Sequence, residues 1–233
     1  MAVRLLTIQT AVPAASLALS EDRTLLAEFS LNGRRTHADW LLPALEGLLT
    51  RAGLQITDLD GFGVVIGPGS FTSLRVGLAT VKGLAVATGL PLVPVSTLRT
   101  LAMQLPFASL PVCAMLDARK QEVYAGLYHW GPGGLQPVGG ERVCKPEQLL
   151  AERQEPTLFV GDGALVYRSL LVRQLGARAH FAPDFLNLPR AAAAASLVFD
   201  AWQEGRVFAP ADINPVYLRP SEAELNAGPK LPA

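Results

Sequence analysis

The sequence is poor in cysteine and in charge, and each shortage excludes a class of protein. Two cysteines, Cys113 and Cys144, stand far apart without a CxxC spacing, so neither a disulfide framework nor a zinc site is suggested. Charged residues make up 17% of the 233 positions, below the ~25% of an ordinary soluble domain. The 20 basic and 20 acidic residues cancel. No net field draws the chain to nucleic-acid backbones or anionic lipid. Long apolar runs are absent at the start: 1–8 holds one Arg and a short run that meets Gln9, too short for a signal peptide or a span. A soluble cytoplasmic chain is expected. Half the residues are hydrophobic, enough for one large domain or two small lobes. So little charge leaves more apolar surface than one molecule hides, which points to a binding partner.

The order of patterns points to an α/β fold. Val3 to Ile8, Ala15 to Leu19 and Thr24 to Leu31 read as three successive strands. A helix is expected from His37 to Arg51, capped by Thr36 and stopped before Gly53, then a buried strand from Phe62 to Ile66. After a turn at Gly67 to Ser70 comes a helix from Phe71 to Thr88 ended by Gly89, and a strand from Leu92 to Val95. Pro106 to Pro111 looks like a boundary, beyond which the pattern restarts as a degenerate echo: strands at Val112 to Leu116, Glu122 to Tyr128 and Leu158 to Val160. Helices are expected at 146–153 and 191–204. The expected division is 1–105, 106–219 and a disordered tail at 220–233.

The richest segment is Gly67-Pro68-Gly69-Ser70-Phe71-Thr72-Ser73-Leu74-Arg75-Val76-Gly77. A glycine turn entering a helix presents N–H groups to an anion, or else makes a tight turn with Ser70 as cap. It is neither a Walker A loop nor a GxGxxG turn, and it lacks the second glycine of a serine nucleophile elbow. Along the helix, Leu74, Leu78, Val81 and Ala85 form an apolar stripe. Opposite them, Val76, Ala79, Thr80, Gly83 and Ala87 make a small, uncharged face flanked by Arg75 and Lys82. Such a face suits close approach of another helix, from a partner or from the chain's own second lobe.

The segment resembles the GPGSFTGLRIGLATAKGLA hallmark of the TsaB (YeaZ) family. His37 with Leu41-Leu42-Pro43, Pro94 to Leu98, Asp117-Ala118-Arg119 with Glu122-Val123-Tyr124, Gly161-Asp162-Gly163, and Pro215 to Arg219 are similar to further family motifs, in order along the chain. The resemblance implies a two-lobed actin-like (Hsp70-like, ASKHA) fold. It implies a non-catalytic subunit that binds and activates a TsaD-type enzyme in threonylcarbamoyl transfer to tRNA. A TsaE-type ATPase and tRNA would join through the complex, and the chain alone would form a homodimer. Partner-binding residues are expected at Ser70, Phe71, Thr72, Arg75, Val76, Ala79, Thr80, Lys82, Gly83 and Ala87; no catalytic, cofactor or metal residues and no cofactor are expected.

Two departures concern chemistry. Thr97 and Leu101 stand where catalytic relatives hold a metal through His-x-x-x-His, and Gln9 precedes Thr10 where ATP-binding relatives carry an acid. The rival readings, a glycoprotease-type metallopeptidase or an ASKHA-fold ATPase or kinase, would need those groups. His37, His129 and His180 have no ligand at i+3 or i+4. Asp117, Arg119 and Glu122 either cross-pair over a hairpin or line the inter-lobe cleft. Gly161 to Gly163 is a turn or an approach to an adenosine. Trp130, Trp202 and Tyr217 lack an interleaved basic run and read as packing residues.

Overall fold

The computed structural model describes residues 2–33, 37–152 and 155–219. The expected Thr36 cap and the 220–233 tail lie outside them.

A first sheet takes the order β3-β2-β1-β4-β5, from β1 (Arg4–Gln9), β2 (Ala15–Glu21), β3 (Thr24–Leu31), β4 (Gly61–Val65) and β5 (Leu92–Val95). The first three are antiparallel neighbours, and β4 and β5 run parallel to β1. The second sheet is built from β6 (Val112–Asp117), β7 (Val123–Gly131), β8 (Gly134–Pro137), β10 (Thr157–Val160) and β11 (Ala179–Phe181). Its order, β8-β7-β6-β10-β11, repeats the first strand for strand, with the same three antiparallel neighbours and two parallel additions. Only β9 (Arg142–Cys144), beside β7, falls outside the correspondence. The faint echo in the sequence is thus a duplicated lobe, and the molecule has the two-lobed actin-like architecture.

Helices α1 (His37–Arg51) and α2 (Phe71–Thr88) cover one face of the first sheet, with Leu41, Leu45, Leu78 and Val81 in a core with Leu6, Ile8 and Phe62. Helix α7 (Ala191–Gln203) covers the other face, where Ala194, Leu197 and Val198 meet Leu5, Val65 and Val93. Alanines and glycines allow this close contact. A Cβ on Gly63 would lie 2.5 Å from a Val198 methyl, and one on Gly61 2.5 Å from the Trp202 ring. By chain position α7 falls in the expected 106–219 lobe; by packing it belongs to the first sheet.

The exchange is mutual. Helix α3 (Thr97–Met103), from the first half of the chain, packs Leu98, Leu101 and Ala102 on Val112, Ala114 and Leu116 of the second sheet. Burying each leucine contributes about 1.5–3 kcal/mol, so separating the halves would expose both cores. Helices α4 (Pro146–Ala151), α5 (Asp162–Val166) and α6 (Arg168–Leu175) close the far face of that sheet over Cys113, Met115 and Phe159. Among the described residues no helix is long and apolar enough to cross a membrane.

Candidate docking surface and inter-lobe cleft

The turn after β4 is a packed joint. A Cβ on Gly69 would lie 2.1 Å from the Ala11 carbonyl oxygen, and one on Gly67, at φ 124°, 2.5 Å from that of Val216. Only glycine lets three backbone segments converge here. The Ser70 N–H donates to Ala11 O at 2.7 Å, and Ser70 Oγ accepts from the Ser73 N–H at 3.4 Å. Of the two readings of this segment, the geometry matches the tight turn with a serine cap.

Helix α2 then runs to Gly89, whose φ of 73° gives the left-handed stop. Leu74, Leu78, Val81 and Ala85 are buried, as their spacing required. The opposite side is open in the single chain: Ser70, Phe71, Thr72, Arg75, Ala79, Gly83 and Ala87 are exposed, and Val76, Thr80 and Lys82 are half-buried. Val86, 73% exposed, belongs to the same apolar surface, although its position beside the small residues gave no separate signal. The chain's second lobe does not cover this face. Thr80 spends its hydroxyl on the Val76 carbonyl at 2.9 Å, so little polarity remains between Arg75 and Lys82.

At the head of the helix, Tyr217 stacks on Phe71 with ring centroids 4.9 Å apart. The Arg75 guanidinium lies 3.9 Å from the Phe71 ring centroid and its Nε donates to the Tyr217 hydroxyl at 3.2 Å. The segment carrying Tyr217 is pinned by the Val216 N–H donating to Ile66 O at 2.8 Å. Sequence reasoning placed Tyr217 in a motif but not against α2.

Beside this stack lies a cleft of about 620 Å³, walled by Val12, Phe71, Asp117, Arg119, Asp162 and Arg219. The Asp117–Arg119 hairpin does reach the space between the lobes. Asp117 pairs with Arg119 at 3.3 Å, whereas Glu122 pairs with Arg219, which also donates to Ala118 O at 2.8 Å. Cross-pairing within the hairpin is therefore only half of the arrangement. Asp162 Oδ1 accepts from the Asp117 N–H at 3.0 Å, and burial pushes its carboxyl above the usual range. Gly161 and Gly163 press on β6, where added Cβ atoms would lie 2.0 Å from Met115 O and 2.8 Å from the Leu116 carbonyl carbon. This is the turn, with both glycines committed to packing.

The two departures have structural occupations. Gln9 is fully buried; its Nε2 donates to Pro189 O at 2.7 Å and its Oε1 accepts from the Ala11 N–H at 2.9 Å. A carboxylate could not make the first bond. Leu101 sits in the core of the second sheet, and Thr97 is fully buried beside it on α3. A hydrocarbon at one position leaves this pair unfit to hold a metal. His37 Nε2 lies 3.3 Å from Val12 O, His129 and His180 are exposed, and no three potential ligand side chains converge among the described residues. Trp130 packs on Phe107 and Trp202 on Gly61.

A family model described as TsaD, tRNA N6-adenosine threonylcarbamoyltransferase, matches residues 24–225. The chain is 33% identical over 228 residues to the tRNA threonylcarbamoyladenosine biosynthesis protein TsaB of Escherichia coli K12, covering 93% of this chain and 95% of that protein. It is 30% identical to the protein of the same description from Bacillus subtilis 168, covering 94% and 96%. The solved structure of YeaZ from Pseudomonas aeruginosa superposes with a TM-score of 0.81 at 31% identity, covering 93% of this chain and 100% of that one.

Proposed function

The chain belongs to the TsaB (YeaZ) family, with a role in tRNA threonylcarbamoyladenosine biosynthesis, and on that premise we propose that it is a docking and activating subunit rather than a catalyst. Its partner is a TsaD-type threonylcarbamoyltransferase, a protein similar enough to share its family model. The contact is the open face of α2, from Ser70 to Ala87.

The observation that carries this reading is the pairing of an uncharged, small-residue helix face with an aromatic and arginine anchor at its head. Small residues let a second helix approach closely, and stacked aromatic and guanidinium groups are the types that dominate binding energy in interfaces. Activation follows by population shift: a surface that fits only the competent conformation of the partner raises the share of that conformation. Without the partner the same face pairs with a second copy of the chain. A TsaE-type ATPase and tRNA join the assembly, with tRNA contacts supplied mainly by the other subunits because this chain carries no net charge. The setting is the cytoplasm.

Reconstitution tests the reading. Threonylcarbamoyl transfer to tRNA from an activated threonylcarbamoyl donor, whose activating group departs, is expected when the chain, a TsaD-type protein and a TsaE-type ATPase are combined with ATP, and is expected to vanish when the chain is omitted. Transfer that is undiminished without the chain, or product formed by the chain alone, would overturn it.

A further inference from the structure

A second cavity, of about 290 Å³, shares no lining residue with the cleft beside α2. It lies between the start of α3, the strand β7 and the inner side of α7. It opens into a wider hollow that shares Arg99, Pro137, Leu197 and Arg206 with it.

One wall carries Glu141. Its Oε1 accepts hydrogen bonds from both the Ser96 hydroxyl and the Tyr128 hydroxyl, the latter at 2.5 Å. Two donors on one oxygen fix the carboxylate, and no group among the described residues bonds Oε2. Burial and the charge of Glu141 hold the Tyr128 phenol far above its ordinary value, so it remains a donor at any physiological pH. Another wall carries Arg99. Its Nη2 donates to Leu135 O at 3.2 Å, while its Nε is buried and donates to nothing.

Arg99 and Glu141 thus border one small space without pairing with each other, while the other guanidinium on its lining, that of Arg206, is already paired with Glu204 at 2.5 Å. Opposite charges facing one recess attract, and a buried donor without an acceptor is costly. Groups held apart in this way match a ligand that carries both complementary charges. Between them the surface is aliphatic, from Val95, Leu127 and Leu197. The volume falls at the small end of ligand pockets.

We propose that this cavity binds a small zwitterion, an α-amino acid with an aliphatic side chain, its ammonium group on Glu141 and its carboxylate on Arg99. The site is independent of the docking face, and its test requires no partner.

The test is calorimetric titration of the full chain with each of the twenty L-amino acids, up to about 10 mM, since a contact of this size falls in the micromolar to millimolar range. Saturable binding of at least one aliphatic amino acid is expected. Its N-acetyl form, which lacks the ammonium, and its amide, which lacks the carboxylate, are each expected to bind about tenfold more weakly or less. Arg99→Met and Glu141→Gln are expected to weaken the amino acid by a similar factor while keeping the circular dichroism spectrum. The blocked ligands decide the matter on the unmodified chain if either variant fails to fold. Absence of saturable binding by all twenty, or equal binding of either blocked form, would overturn the proposal.

Discussion

Gly77 of α2 lies so close to Thr10 that a Cβ added to it would stand 2.0 Å from the threonine Oγ1. Six residues further along the same helix, a Cβ on Gly83 would meet nothing within 4 Å. The two glycines therefore answer opposite demands. Gly77 lets the helix descend onto the end of β1; Gly83 keeps the outer face flat. Gly77→Ala is expected to cost about 1–3 kcal/mol through overpacking, and Gly83→Ala to add about 0.5–1 kcal/mol from helix propensity. Chemical denaturation of both variants checks the signs.

The exposed face of α2 tolerates bulk in the single chain and should not tolerate it in a complex. Ala79→Arg is expected to leave stability within about 0.5 kcal/mol of the parent, and Gly83→Arg to raise it by up to about 1 kcal/mol for the same helix-propensity reason as Gly83→Ala. Both should abolish co-elution with a TsaD-type partner, and self-association as well. Phe71→Ala should weaken partner binding by about 2 kcal/mol, because it removes the ring on which Tyr217 and Arg75 both stack. Gel filtration and titration of the purified proteins give the readout; unaltered assembly of Ala79→Arg would dismiss the docking role of this face.

Asp162 gives stability a defined pH dependence. Burial raises its carboxyl pKa in the folded chain, so the folded state holds the proton more tightly than the unfolded one. Its ionisation therefore lowers stability as pH rises from the ordinary value of 3.8 through the raised one, and the loss persists at neutral pH. Asp162→Asn keeps an oxygen to accept from the Asp117 N–H and carries no charge. The variant should melt higher than the parent at pH 7, with the gap closing as pH falls toward 3.8. A constant gap across that range would contradict the assignment.

Neither thiol should react in the native protein. Cys113 is fully buried, and burial pushes the Cys144 thiol above its usual range, which lowers its thiolate fraction. Thiol reagent at pH 8 is expected to label both only as the chain unfolds, at the rate measured by loss of circular dichroism.

Much of the scaffold was legible because its signals are local. Helix α1 and helix α2 fall on the residues that their periodicity and stop glycines indicate, and β3 and β5 on their apolar runs. The α2 stripe is buried as its 3.6-residue spacing demands. By contrast α5, α6 and β11, of five, eight and three residues, are too short to establish a period. Their boundaries come from packing on Phe159 and Met115 rather than from pattern.

What the sequence determined by itself, then, is which of the longer stretches become strands and helices, which side of α2 is apolar, and the family that its motifs carry. The tertiary structure alone decided where the distant pieces meet. Tyr217 reaches Arg75 across 142 positions, Gln9 reaches Pro189 across 180, and α3 and α7 each pack on the sheet of the other half. Period and propensity are properties of neighbours along the chain. The cleft, the Phe71 stack and the Arg99–Glu141 cavity are properties of neighbours in space, set by which apolar faces the two sheets leave to be covered.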